Sequence, residues 1–248
     1  MGEISGTTTI TMSIIFDARS IDSKEPTGVG IFSSTLLTHL QKSEIAQDLI
    51  VFSNTTQKKI LSLPPDITHI HTRIPNKILN GAITVTKLPH LDTYIGNRHT
   101  LPNPLTFFAP NLQFIALKKE TRLVLTVHDL SFYHIPWWYS PKMRLWHTLV
   151  NPQKLIERAD TLIAVSHTTK EDLVNTFHVP ENRIKVVYPG ISRENPNPSI
   201  LQNIPKRFIL CISSIEPRKN IELLFEAFAN LKKNPRHHDV ALVLAGPI

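Results

Sequence analysis

The side chains best suited to chemistry fall in a few short stretches. His128 and Asp129 close the apolar run Leu123–Val127, which reads as a strand. Open α/β sheets collect ligands at the carboxyl ends of their strands, so this pair faces a natural crevice. An imidazole there can hydrogen-bond a sugar hydroxyl or a phosphate oxygen, or carry a proton near neutral pH. A lone histidine is commonly structural, whereas one at a strand's end with Asp beside it reads as functional. Glu216-Pro217-Arg218-Lys219 lies between an apolar strand and a helix that starts near Asn220. Two fixed positive charges at a helix N-terminus make a diphosphate site by mechanism; the competing reading is a solvated basic turn.

Gly28-Val29-Gly30 follows a strand and a polar loop and opens a helix. Its backbone amides can approach a phosphate or a sugar closely, or the glycines simply make a turn. Ser33 stands where the dinucleotide fingerprint has its third glycine, which argues against a nicotinamide or flavin. Trp137, Trp138 and Tyr139 follow a proline and either line a sugar cleft or pack their own loop. His69 and His71 share one strand face but lack companion ligands, and His237-His238 reads as a solvated turn. No Gly-x-Ser-x-Gly elbow, P-loop or Asp-x-Asp occurs, so no metal and no cofactor is expected.

These residues need elements to hold them. Ile10–Asp17 reads as a first strand, and Ile31, Phe32, Leu36 and Leu40 form the apolar face of the helix after it. Further strands are expected at Leu49–Phe52, Ile67–Ile70, Thr106–Ala109, Leu123–Val127, Leu162–Val165 and Ile184–Val187. Helices are expected at Pro141–Arg158 and His167–Phe177, the second N-capped by Ser166 and ended by His178-Val179-Pro180. Short, unbroken apolar strands between helices point to a parallel sheet covered on both faces. The segment 72–105 carries no pattern clear enough to place.

The fold class is therefore α/β. Residues 1–190 form a Rossmann-like domain and 191–205, rich in proline and asparagine, a linker. Residues 206–248 then hold a strand, the helix Asn220–Lys233 and the strand Val240–Ala245, one βαβ unit of a second domain. The chain carries 27 Lys and Arg against 20 Asp and Glu, a net +7, which favours anionic partners. No basic run interleaved with aromatics marks a nucleic-acid groove, so none is expected to bind. The single cysteine, Cys211, fits a reducing compartment. No secretory signal, membrane-length apolar run or myristoylation pattern is present, and a cytoplasmic protein is expected.

Taken together, Gly28-Val29-Gly30, the run Thr126–Phe132, the run Arg158–Leu173, the run Arg183–Ile191 and Ser214–Asn220 resemble family 4 glycosyltransferases, in order and with plausible spacing from about residue 14 to the end. The resemblance implies a GT-B fold, with two Rossmann-like domains facing a cleft, and retaining transfer of a hexose from a nucleotide diphosphate sugar. The Glu-Pro-Arg-Lys-Asn form is most similar to the mannosyltransferase-type branch that builds cell-surface polysaccharides. On this resemblance Gly28 and Gly30 bring amides near the donor phosphates or the acceptor, and His128 hydrogen-bonds the transferred sugar. Arg218 and Lys219 bind the diphosphate and neutralise the charge of its departure. Relatives often carry a further Arg several residues before this Lys; Ser213 and Ser214 fill that region here, which puts the weight on Arg218. Asp129, Trp137 and Trp138 are the expected sugar or acceptor contacts.

The resemblance also implies a saccharide or lipid-linked acceptor, and with it a peripheral position on the anionic inner membrane face. Only 43 residues follow the linker, where a Rossmann-like half takes on the order of a hundred. The family's Glu-x7-Glu motif has no counterpart among them. The expectation is a truncated chain that is catalytically incompetent alone. Two other classes stay open: a non-catalytic phosphosugar-binding module and a Rossmann oxidoreductase.

Overall fold

The computed structural model describes residues 13–21, 27–56, 63–97, 104–191, 205–216 and 219–246. The chain divides into two compact units, Met1–Ser192 and Arg193–Ile248. Of the expected linker, residues 192–204 lie outside the described residues.

The first unit is built on seven parallel strands: β1 (Ser13–Asp17), β2 (Leu49–Asn54), β3 (Thr68–Thr72), β4 (Leu105–Ala109), β5 (Arg122–Val127), β6 (Thr161–Ala164) and β7 (Ile184–Val186). Their order in space is β3-β2-β1-β4-β5-β6-β7, so the chain reverses direction across the sheet between β1 and β4. Parallel strands covered on both faces read as near-continuous apolar runs, and β2 is the extreme case: all six residues are buried, Leu49–Phe52 apolar and Ser53 and Asn54 polar at the carboxyl end.

Right-handed crossovers decide which face each helix covers. The step from β1 to β2 runs one way across the sheet and carries helix α1 (Gly28–Leu40). Its Leu37 packs with Phe16, Val51 and Phe108. The steps from β3 to β4, β5 to β6 and β6 to β7 run the other way, so their helices share the opposite face. These are α2 (Asn76–Thr86), α3 (Leu91–Gly96), α4 (Ser131–His134), α5 (Pro141–Val150), α6 (Pro152–Arg158) and α7 (His167–Phe177). Leu79, Ile83, Ile95, Val150, Leu155 and Leu173 join the larger core there.

Two expectations change. The predicted helix Pro141–Arg158 is two helices, broken at Asn151, which takes the left-handed conformation at φ 54°. Pro152 has no N–H to donate and crowds the turn before it, so the chain ends one helix and restarts another. Asn151 serves both: its backbone N–H reaches His147 O and its Oδ1 receives Lys154 N–H. The unplaced segment 72–105 contains α2 and α3. Gly81 and the β-branched Ile78, Ile83, Thr84, Val85 and Thr86 are weak helix formers, and burial of Leu79 and Ile83 holds α2 in place of propensity.

The second unit is a single parallel βαβ element: β8 (Phe208–Ile212), α8 (Ile221–Lys232) and β9 (Ala241–Ala245). Ser213 N–H donates to Ala245 O at 2.9 Å and continues the ladder. Gly246 follows at φ 152°, where a Cβ would fall on the Ser213 carbonyl; this close approach needs glycine.

Candidate active site

His128 leaves the carboxyl end of β5, half-buried, beside the β1–β4 reversal where open sheets form a crevice. Its Nε2 lies 3.0 Å from Pro110 O. A carbonyl only accepts, so this nitrogen carries a proton, and Nδ1 is an acceptor whenever the ring is neutral. Phe32, in the first turns of α1, meets the imidazole edge-to-face at 4.9 Å. Thr169 Oγ1 in α7 donates to His128 O at 3.2 Å, and Ser166 caps the same helix by accepting from Thr169 N–H at 3.1 Å. Three connections, those after β1, β4 and β6, thus converge on a residue of the connection after β5.

The contact through Phe32 places the N-terminus of α1 next to His128. Thr27 caps that helix, its Oγ1 accepting from Gly30 N–H at 3.0 Å. Gly30 is buried and its amide is committed to the cap, while Gly28 is exposed with open space around it. The amides of Gly28 and Val29 are therefore the ones the cap leaves for a ligand. Ser33 is fully buried, receives Ser20 Oγ at 2.9 Å and donates to Val29 O at 2.8 Å. A third glycine would let the helix sit closer; this serine instead ties the helix to the loop before it.

Sequence reading missed Arg19 and Asp17. Their ion pair is closed at 2.6 Å with both side chains at most 5% exposed, and Arg19 also reaches Phe114 O at 3.0 Å. The guanidinium lies over the Phe52 ring. This pair bridges the end of β1 to the segment after β4, across the order reversal. Only the strand order could have revealed it.

Asp129 is exposed and turns back on the start of α4: Oδ1 accepts from Ser131 N–H at 3.0 Å and from Ser131 Oγ at 2.5 Å. Ser131 Oγ in turn meets Tyr139 OH at 2.5 Å. Beside this chain lies a cavity of about 540 Å³ lined by Phe132, Tyr139, Arg144, His147 and Phe177 among others. His147 stacks on Phe132 at 4.8 Å, and both its ring nitrogens are buried without a partner. Burial pushes its pKa below the ordinary value, with nearby Asp129 opposing. Trp137 remains 68% exposed, whereas Trp138, at 45%, has more than half of its surface covered.

Several motif residues hold the fold at the other edge of the sheet. Arg158 Nη2 donates to the carbonyls of Lys118, Lys119 and Thr121, and its Nη1 pairs with Asp160 at 3.1 Å. Asp160 also accepts from Leu123 N–H, joining the starts of β5 and β6. Arg183 closes on the carbonyls of Ile156, Glu157 and Ala159.

In the second unit Lys219 is exposed, its N–H bonded to Glu216 O at 2.9 Å, and Asn220 turns through φ 49° into α8. Arg218 lies outside the described residues, as does Pro217. His69 Nε2 and His71 Nδ1 both bond to Ser53 Oγ, at 2.8 and 2.9 Å. Among the described residues no set of three His, Cys, Asp or Glu is placed to hold a metal ion, and no helix is long and apolar enough to cross a membrane.

A seven-stranded parallel sheet of order β3-β2-β1-β4-β5-β6-β7, followed by a βαβ unit, defines a GT-B-type α/β protein. Residues 28–195 match the model of Glycosyltransferase Family 4, and residues 193–247 that of Glycosyl transferases group 1. The chain belongs to glycosyltransferase family 4. It is similar to the O-antigen chain mannosyltransferase B of Escherichia coli, 24% identical over 257 positions, covering 95% of this chain and 64% of that protein. A second relative is the N-acetylgalactosamine-N,N'-diacetylbacillosaminyl-diphospho-undecaprenol 4-alpha-N-acetylgalactosaminyltransferase of Campylobacter jejuni, 32% identical over 37% of this chain and 24% of that one. Among solved structures the fold is like that of WaaG, a glycosyltransferase involved in lipopolysaccharide biosynthesis. The TM-score is 0.57 at 15% identity, over 93% of this chain and 62% of WaaG. The chain thus spans less than two thirds of these three proteins.

Proposed function

We propose that this chain is part of a retaining glycosyltransferase that moves a hexose, mannose by preference, from a nucleotide diphosphate sugar to a saccharide or lipid-linked acceptor. The observation that carries the reading is the placement of His128 at the end of β5, against the first turns of α1 and beside the strand-order reversal. An imidazole can there hydrogen-bond the transferred sugar, while the open amides of Gly28 and Val29 face donor phosphate or acceptor, and Gly30, its own amide committed to the Thr27 cap, holds that turn in place. Arg218 and Lys219 neutralise the diphosphate as it leaves, a role that fixed charge performs without a metal. Asp129, Trp137 and Trp138 border the acceptor side, and the aromatic cavity at His147 is the candidate acceptor pocket.

The mannose preference follows the E. coli relative, and the lipid-linked acceptor follows the diphospho-undecaprenol in the C. jejuni relative's name. A lipid-linked acceptor would be met at the inner membrane face, and the chain's net positive charge suits an anionic surface. The 248-residue chain is expected to show no turnover alone, since it spans 64% of the mannosyltransferase relative. Isothermal titration with GDP-mannose, a UDP-hexose and NADH tests the class. Heat from a nucleotide sugar that is lost in His128→Ala supports the reading, and a preference for NADH would sink it.

A further inference from the structure

The buried pair Asp17–Arg19 is aimed at one carbonyl. Both carboxylate oxygens are engaged: Arg19 Nε donates to Oδ1 at 2.8 Å and Nη2 to Oδ2 at 2.6 Å, while the Arg19 backbone N–H reaches Oδ1 at 3.2 Å. The base of the pair is fixed too, because Ala18 N–H donates to Phe52 O at 2.8 Å and extends the pairing of β1 with β2. The Phe52 ring lies under the guanidinium, 5.6 Å from its centre. A buried ion pair adds little net stability over apolar side chains of the same volume. What a planar guanidinium adds is direction. Here Nη2 donates onward to Phe114 O at 3.0 Å.

That carbonyl belongs to a segment with no regular structure of its own. Residues 110–118, between β4 and β5, form neither helix nor strand. The segment is held from outside: Arg19 bonds Phe114 O, Leu91 N–H bonds Ala116 O, and Asp92 Oδ2 accepts from Lys118 N–H. The Arg19 contact lies nearest to Pro110, whose carbonyl accepts from His128 Nε2. Between the two, Asn111 Nδ2 bonds within the segment, to Leu112 O. Proline's ring fixes φ, so the direction of the Pro110 carbonyl depends on ψ, and ψ on where the next residues run. β4 anchors one end of that stretch and Arg19 the other.

We propose that Arg19, held by Asp17, is a positioning residue for His128. By fixing Phe114 O it fixes residues 111–114, and with them the Pro110 carbonyl. That carbonyl keeps the ring proton on Nε2 and leaves Nδ1 to accept from a ligand hydroxyl. Phe32 meets the ring edge-to-face and limits its tilt, but an apolar ring does not select which nitrogen carries the proton. The inference rests on the reading of His128 as the hydrogen-bond partner of the transferred sugar.

Nitrogen-15 NMR of the histidine rings tests it on the 248-residue chain without any ligand. At about pH 8, where imidazoles are neutral, His128 should show a single tautomer with its proton on Nε2; His128→Gln assigns the signals. Asp17→Leu with Arg19→Met exchanges the ion pair for apolar side chains, a replacement often neutral for stability, and should leave His128 a mixture of tautomers. Arg19→Lys keeps a charge beside Asp17 but loses the planar fork. It should shift the ring partway, and it carries the test if the double variant does not fold. Ile95→Val thins the core of the same unit elsewhere and should leave the His128 signals unchanged; circular dichroism checks the fold of each variant. In calorimetric titration GDP-mannose should bind the double variant about tenfold more weakly, as for one lost hydrogen bond. A native chain with the His128 proton on Nδ1, a folded double or lysine variant with native ring signals, or an equal shift in Ile95→Val each overturns the proposal. The expected tautomer shift in a chain that binds no nucleotide sugar supports the positioning and sinks the transferase reading alone.

Discussion

β2 and β8 look alike as sequence, Leu-Ile-Val-Phe against Phe-Ile-Leu-Cys-Ile, yet they differ entirely in burial. Every residue of β2 is buried, between α1 on one face and the α2–α7 layer on the other. In β8, Phe208 and Ile209 are 41% exposed, Leu210 49% and Ile212 78%. A strand that is apolar on both faces needs cover on both, and among the described residues the second unit supplies one α-helix and one neighbouring strand. The difference teaches that an apolar run records what a strand is built to meet, and that the meeting depends on neighbours elsewhere in the chain.

The comparison can be broken at its strongest point first. Phe52→Ala in β2 removes a fully buried ring and should cost about 3–5 kcal/mol in urea unfolding of the first unit; a loss under about 1 kcal/mol would mean β2 is no better covered than β8. Gly246→Ala should cost the second unit about 1–3 kcal/mol, because the added methyl meets the Ser213 carbonyl at a φ that L-residues avoid. The loss should show as faster amide exchange in β8 and β9 with β1–β7 unchanged. A smaller effect comes from pH. Burial holds both His69 and His71 below the ordinary 6.5, His71 adding to the shift of His69 and Arg73 to that of His71. Such groups bind protons more readily when unfolded, so stability is full at neutral pH and falls as pH drops from 6.5 toward the folded values. The urea midpoint of the first unit should fall through that window, and His69→Asn with His71→Asn should flatten the slope. Smallest of all, Leu210→Ser in β8 should shift stability by no more than about 0.5 kcal/mol, as for any exposed position.

Much of the architecture was legible because parallel strands advertise themselves. The runs at 49, 106, 123 and 162 have no other use for such continuous apolar sequence, and Ser166 marked α7 by its cap. α2 was illegible because its Gly81 and β-branched residues argue against a helix that only burial sustains. The break at Asn151 was written in Pro152, but the apolar pattern on either side hid it. At the site, His128 was legible from its place at a strand's end. The approach of Phe32 to it, the Ser20–Ser33 tie and the Asp17–Arg19 bridge depend on β1 lying beside β4, which local pattern does not encode. The same gap explains why Arg158 and Asp160 could be read as motif yet not as clamps on the starts of β5 and β6.

That β1–β4 adjacency also has a kinetic consequence. Ser13 pairs with Leu105 across it, whereas β2 with β3 and β5 with β6 join segments much closer along the chain. Loop closure makes distant pairings slow, so we expect the strands β1–β3 and β4–β7 to gain order before the seam between them closes. Pulse-labelled exchange would show the β1 and β4 amides protected last. The strand ends beside His128 would then be the final part of the sheet to assemble, and any ligand held across that seam would act as a brake on its reopening.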